Sequence, residues 1–151
     1  MTKTEDIIRI GQVSSIYPEQ GTCRVAFGDM QDDGTPLVSA PLRILYHRTV
    51  DRQDFTMPAV GEHVLCVFMP NGYEEGFVIG SFYTSASNLP SRGYDGIYST
   101  AYSDGTEVRY DMNEKALTVH SAGDLTITAA GDININATGN VRVAGARIDL
   151  N

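Results

Sequence analysis

The chain has 151 residues, of which 42% are hydrophobic and 20% charged, a globular composition with room for one domain or two small ones. Its formal net charge of −8 argues against nucleic acid as a partner, because phosphate backbones need an electropositive surface. No apolar run is long enough to span a bilayer. Residues 1–10 carry acids and no long apolar core, so we expect no signal peptide and synthesis in the cytoplasm.

Short strand patterns fill the first half of the chain, and no stretch shows a sustained helical period. The predicted strands cover residues 9–17, 22–27, 37–46, 63–69 and 76–83. Pro41 implies an edge position or a bulge in the third strand, and 47–58 has room for a short helix. Five short strands over about ninety residues are typical of a small Greek-key barrel of the OB type, which we expect at 1–83.

The side chains that could carry chemistry have structural explanations. Cys23 and Cys66 lie in apolar strands without a CxxC motif, so we expect buried free thiols. We expect His63 to be structural and His120 to point outward from a strand. The aspartates of loop 28–36 are too few for a calcium site, and no catalytic or phosphate-binding motif is present. We therefore predict no enzyme activity, no catalytic residue, no cofactor and no metal site.

Residues 84–96, TSASNLPSRGYDG, are rich in Ser, Asn, Pro and Gly and make the best linker in the chain. Further strand patterns follow over 97–151, namely IYSTAYS, TEVRY and KALTVHS. Tyr94, Tyr98 and Tyr102 are four residues apart and would share one face of a strand. We expect them to pack between chains, with contact to a partner protein or a host glycan as the alternative.

Residues 121–151 repeat a phrase with an eight-residue period, seen when AGDLTIT, AGDININ and TGNVRVA are aligned. Each unit predicts a strand with two inward apolar side chains, then a corner where glycine supplies backbone freedom. The predicted corners are Gly123, Gly131, Gly139 and Gly145. The predicted inward side chains are Leu117, Val119, Leu125, Ile127, Ile133, Ile135, Val141, Val143, Ile148 and Leu150.

One chain could not fill a core with this phrase. The free energy gained by burying two medium apolar side chains per unit is smaller than the free-energy cost of the backbone entropy lost when eight residues are ordered. Three copies wound about one axis would instead share their apolar side chains and pair their strand edges. We therefore predict an all-β protein in which an N-terminal OB barrel precedes an intertwined homotrimeric β-helix. A flat meander or a disordered Gly/Asn tail is the alternative.

Three long phrases point to a known family. They are RIGQVSSIYPEQGTCRVAF and GEHVLCVFMPNGYEEGFVIGSFY in the first half and SDGTEVRYDMNEKALTVHSAGDLTITAAGDI in the second. With these the chain resembles the phage baseplate assembly protein V family, the central spike of contractile tails, and is similar to the spikes of type VI secretion and R-type pyocins. The resemblance implies an OB collar at 1–83, a linker at 84–96 and a trimeric needle at 97–151, which sheath contraction drives through the outer envelope.

The resemblance also implies partners and a location. The expected partners are two further copies of the chain, the baseplate hub and the bacterial outer envelope as target, and the expected location is a virion or tail-like particle. Many family members end in a His-x-His pair that binds iron, but this chain has no such pair, so that site is not carried over. We expect a separate tip protein of the PAAR type to bind Ile148, Asp149, Leu150 and Asn151, unless a tip segment is missing. The alternative function is an oligosaccharide-binding OB module that a β-helical stalk merely trimerises.

Overall fold

The computed structural model describes residues 7–30, 34–70, 75–85, 89 and 95–149. The chain divides into two compact units, Met1–Ser91 and Arg92–Asn151, and each is described by itself below. The predictions for Tyr94, Leu150 and Asn151, and for the aspartates at 32 and 33, fall outside the described residues. The described parts are all-β apart from a single turn of 3₁₀ helix at Pro18–Gln20.

The N-terminal unit is a closed barrel. Its strands are β1 (Ile8–Tyr17), β2 (Thr22–Met30), β3 (Pro36–Val38), β4 (Leu42–Ile44), β5 (His63–Phe68) and β6 (Gly76–Ser81). They follow the order β1-β5-β6-β4-β2-β3, and β1 also pairs with β2. Five strands therefore close into a barrel, and the short β3 pairs with the later part of β2. The β4–β6 pairing is parallel and the other pairings are antiparallel. This OB-like barrel confirms the fold predicted for the first half.

The single strand predicted over 37–46 is wrong, because the chain forms β3 and β4 with a break between them. At the break, the Ser39 N–H donates to the Val25 carbonyl at 2.9 Å. The Ser39 hydroxyl in turn accepts the Val25 N–H at 3.0 Å, so a side chain takes the place of a ladder carbonyl. Pro41 lies in this break between β3 and β4, where its missing N–H costs no ladder hydrogen bond. The described residues at 47–58 contain no helix, only an isolated bridge between Thr49 and Gln53.

The barrel encloses the core of the N-terminal unit. The buried apolar side chains are Val13, Cys23, Val25, Phe27, Leu42, Val64, Cys66, Phe68 and Val78. Cys23 and Cys66 are free and buried, as predicted. Burial raises the pKa of the Cys23 thiol. Burial and then the neighbouring Cys23 raise the pKa of Cys66 to about 12, against a smaller opposing effect of Arg9. Both thiols are therefore inert core side chains at neutral pH.

One end of the barrel core is closed by a charged side chain. The Arg9 guanidinium lies 4.2 Å from the centre of the Phe27 ring and pairs with the Asp29 carboxylate. Phe27 also meets the Phe68 ring edge-on, with 5.8 Å between centroids. The cation thus covers the aromatic end of the core while its charge is balanced.

The C-terminal unit begins with a small antiparallel sheet. Its strands are β7 (Ile97–Ala101), β8 (Glu107–Asp111) and β9 (Ala116–His120), in the order β7-β8-β9. Residues 121–149 then continue without strand pairing inside the chain, and bends recur at 122–123, 130–131, 138–139 and 146. Nowhere in the described ranges is there a helix long and apolar enough to cross a membrane.

Among the described glycines of the barrel, Gly11 on β1 has the tightest surroundings. A Cβ there would lie 2.6 Å from the Ala26 carbonyl oxygen and 2.6 Å from Val25 Cγ1. At Gly28 of β2, by contrast, a Cβ would meet nothing within 4 Å. We expect Gly11→Ala to lower the free energy of unfolding by about 1–3 kcal/mol or more through overpacking, and Gly28→Ala to leave it within about 1 kcal/mol. Urea denaturation of the full chain measures both, and equal losses would contradict the close approach.

Candidate functional site: an uncovered apolar surface

Residues 121–149 expose apolar side chains at regular spacing. The seven predicted inward side chains of this segment are between 48% and 74% exposed within one chain. We call them the apolar rows: Leu125, Ile127, Ile133, Ile135, Val141, Val143 and Ile148. Scattered exposed apolar residues are ordinary, but a regular series of them marks a contact surface. The structure therefore brings none of these predicted core residues together inside a single chain.

The corners of the repeat coincide with bends, but not for the predicted reason. Gly123, Gly131 and Gly139 lie in the bends, and Gly145 directly precedes the last one. None of the four has a positive φ, so the left-handed freedom of glycine is not what these corners use. A Cβ at the first three would meet nothing within 4 Å. Nothing inside the described part of one chain therefore requires glycine at these three positions.

The β7–β9 sheet has a second uncovered apolar surface. Cross-strand pairing places Tyr98 opposite Tyr110 and Tyr110 opposite Leu117. The next row of the same face joins Thr100, Val108 and Val119. We call these six residues the sheet face. Tyr98 is 64% exposed and Leu117 is 68% exposed, so this apolar face is open in one chain. The sequence analysis missed Val108 and Tyr110, although their two-residue spacing in TEVRY was a usable signal.

The opposite face of that sheet holds a buried carboxylate. Asp111 is only 2% exposed and accepts a hydrogen bond from Arg109 Nη2 at 2.8 Å. It also accepts the backbone N–H groups of Asn113 at 2.9 Å and Glu114 at 3.2 Å. These bonds fix the turn between β8 and β9, in which Lys115 takes a left-handed φ of 54°. One side of the sheet thus holds a buried, hydrogen-bonded carboxylate, and the other side is apolar and open in one chain.

The start of the repeat is tied to the turn between β7 and β8. Asp104 accepts the Thr106 N–H at 2.9 Å and the Thr106 hydroxyl at 3.2 Å. The same hydroxyl oxygen accepts the Ala122 N–H at 3.2 Å. The first bend of the repeat is therefore held against the sheet. Hydrogen bonds from Thr106 lower the pKa of Asp104.

Two histidines singled out in the sequence lie at the ends of strands. His120 is exposed at the end of β9, and the part-buried His63 ring lies 6.1 Å from that of Phe82. Among the described residues, no group of three or more His, Cys, Asp or Glu side chains comes close enough to hold a metal ion. Near the end, Ile148 and Asp149 are exposed, and Asp149 accepts a hydrogen bond from Arg147 at 2.9 Å.

The barrel carries a shallow groove beside β4 and β6. Tyr46, His47, Asp54 and Met57 are among its lining residues. The Tyr46 ring stacks on the exposed Phe55 ring, with 5.8 Å between centroids and 25° between planes. The Tyr46 hydroxyl is 3.6 Å from the Met57 sulfur. This is a concave surface with an aromatic platform at its side.

The closed five-stranded barrel makes the N-terminal unit an OB-type module. Residues 9–83 match the family model of the type VI secretion system/phage-baseplate injector OB domain. No curated protein matches the chain at a significant level. The OB domain of this chain thus belongs to the phage-baseplate injector family, which confirms the resemblance drawn from the sequence. Membership indicates a structural role associated with the baseplate and a location in a phage tail or related particle.

The Asp104 turn gives a prediction in pH. Because hydrogen bonds hold the pKa of Asp104 below its usual value, its stabilising effect is complete above the pKa of the unfolded chain and is lost as pH falls through the folded pKa. An NMR titration of the Asp104 carboxyl in full-length protein should show this lowered pKa. Thr106→Val removes the hydroxyl and keeps the N–H, so the pKa should rise part of the way back. An ordinary pKa in both proteins would contradict the turn geometry.

Proposed function

We propose that the chain is the central spike of a contractile phage tail or tail-like injection particle. In this proposal the OB barrel attaches to the baseplate hub, and residues 97–151 wind with two further copies into a homotrimeric β-helical needle. Sheath contraction drives the needle into the bacterial envelope. The role is mechanical and needs no catalysis, cofactor or nucleic acid. The injector-family OB domain supports the attachment to a baseplate.

The observation that carries the proposal is the set of apolar rows. Seven medium-sized apolar side chains stand in solvent along 121–149, between bends that recur every eight residues. Each would gain about 1.5–3 kcal/mol on full burial, and the barrel already fills its own core. Every further copy of the chain carries the same apolar rows at the same spacing, so the rows of different copies would match layer by layer. Winding three of them about an axis turns every row inward.

The backbone of 121–149, which forms no strand pairing within the described chain, supports the same assembly. Extended segments with open edges need partners for their N–H and C=O groups. Strands from two neighbouring copies would supply those partners on both sides. The corners fit as well, since a glycine that its own chain does not require leaves space for the backbone of a neighbouring copy.

Such a needle would suit penetration for a physical reason. In an intertwined rod every layer is bonded to chains on both sides, so no local segment can peel away without breaking contacts in all three copies. A dry apolar interior adds stabilisation spread over the whole length. The end near Ile148 and Asp149 would remain apolar and open, and a PAAR-type tip protein would cover it, with Leu150 and Asn151 completing the predicted contact.

Core charge gives the direct test. Ile133→Asp would place three carboxylates around one axis in a dry layer, which should prevent trimer assembly. Asn134→Asp is the matched control, because it adds the same charge one residue along, on the outer side of the strand. Light scattering should give three times the 16.4 kDa chain mass for the unmodified protein and the control. Ile133→Asp should fall to the mass of one chain.

Two results would contradict the proposal. One is an unmodified protein that runs as a single chain at micromolar concentration. The other is an Ile133→Asp trimer that melts like the control, since Ile133 would then not face the axis. Copurification of the chain with a hub protein from intact tails would test the attachment separately.

The second candidate is oligosaccharide binding by the barrel, which the Tyr46–Phe55 stack beside a groove favours. Stacked aromatic rings offer an apolar platform for sugar rings. On this view, peptidoglycan and lipopolysaccharide fragments should bind the full chain, and Phe55→Ala should weaken binding at least about tenfold. Val50→Ala, at another exposed apolar residue, is the control. Calorimetry without measurable heat for any fragment would remove this candidate.

A further inference from the structure

We infer that the sheet face is a contact between copies of the chain, so that the shared interior begins at Tyr98 on β7 and not at Leu117 on β9. The inference rests on the proposed trimer and extends its interior by two strands. It assigns Tyr98, Val108 and Tyr110 to the interface, in addition to the residues that the repeat predicts.

Strand register carries the first step. Tyr110 is the direct cross-strand partner of Leu117, and Val108 is the partner of Val119. Side chains paired in this way stand with Cβ atoms about 4.5–5.5 Å apart on one face. A surface that covers Leu117 and Val119 must therefore also contact Val108 and Tyr110. Tyr98 on β7 is the cross-strand partner of Tyr110, so it extends the Tyr110–Leu117 row by one strand.

The polarity of the two faces carries the second step. The face opposite to the sheet face presents Ser99, Arg109 and Thr118 across the three strands, and Asp111 beside them is bonded to Arg109. On that side, the Asp111 carboxylate is already hydrogen-bonded within the chain. A three-stranded sheet gains stability mainly by burying one apolar face, and here the apolar face is the one left open in a single chain.

A second copy of the chain is the partner that best fits the sheet face. Leu117 and Val119 lie on β9, the strand that leads into the repeat, and the Thr106–Ala122 hydrogen bond holds the first bend of the repeat at the end of this sheet. The sheet face and the apolar rows are thus consecutive parts of one exposed apolar series. Tyrosine suits the outer end of such an interface, because its ring buries apolar area while its hydroxyl keeps a polar partner.

Tyr98 and Ser99 offer a matched pair for the test, since both are exposed in one chain and they occupy opposite faces of β7. The assay follows trimer dissociation in guanidinium by light scattering at two protein concentrations. Tyr98→Asp should lower the dissociation midpoint and raise the dissociation constant at least about tenfold. Ser99→Asp should match the unmodified protein, and Tyr98→Phe should stay within about twofold of it.

A labelling experiment covers the case in which Tyr98→Asp does not fold. In the trimer, the thiol of Tyr98→Cys should react with maleimide at least about tenfold more slowly than that of Ser99→Cys. Cys23 and Cys66 are buried and contribute little background.

The outcomes separate this inference from the proposed function. An unmodified protein of single-chain mass overturns both. A trimer in which Tyr98 and Ser99 variants dissociate and label alike overturns the sheet-face contact alone. A third outcome is that the thiol of Tyr98→Cys is protected while Tyr98→Asp dissociates at the same guanidinium midpoint as the unmodified trimer. The face would then be covered by another part of the same chain, and the sheet-face contact between copies would be overturned.

Discussion

Strand closure is the constraint on which the rest of this structure depends. Every strand must pair its backbone and bury one face. In the N-terminal unit, β1 pairs with both β2 and β5, so the sheet closes and its interior faces meet. Val13, Val25, Val64 and Cys66 are consequently buried without help from any other molecule. In the described part of the C-terminal unit, no strand closes the sheet in this way, and the three-stranded sheet and the 121–149 segment stay open.

The two units thus meet the same constraint in opposite ways. The barrel is complete in one chain, with inert thiols and a charge-balanced end at Arg9. The second unit keeps its polar contacts inside the chain, at Asp111 and Asp104, and presents its apolar contacts outward. In the proposed needle, the barrel would be the finished module and the second unit would be the surface for assembly.

Sequence patterns predicted the barrel well because alternation and turn residues report burial directly. Strand β5 and the free, buried Cys23 and Cys66 followed from that pattern. The split of 37–46 did not, because it depends on the Ser39 hydroxyl reaching the Val25 N–H, a contact across fourteen residues. The buried role of Asp111 was equally hidden, since in sequence it is one of several acids beside a turn. The eight-residue period predicted the positions of the bends. It did not predict why glycine stands there, because neither Gly123 nor Gly131 has the positive φ that would require it.

The even spacing of the bends has a consequence for how such a protein can change. Because each eight-residue unit repeats the same pattern, a unit could be duplicated or deleted without shifting the register of its neighbours or touching the barrel. In the proposed needle, each such event would alter reach by one layer, about 4.8 Å. The length of the needle would then change in whole layers and could be matched to the thickness of the envelope to be crossed, while the barrel stayed the same.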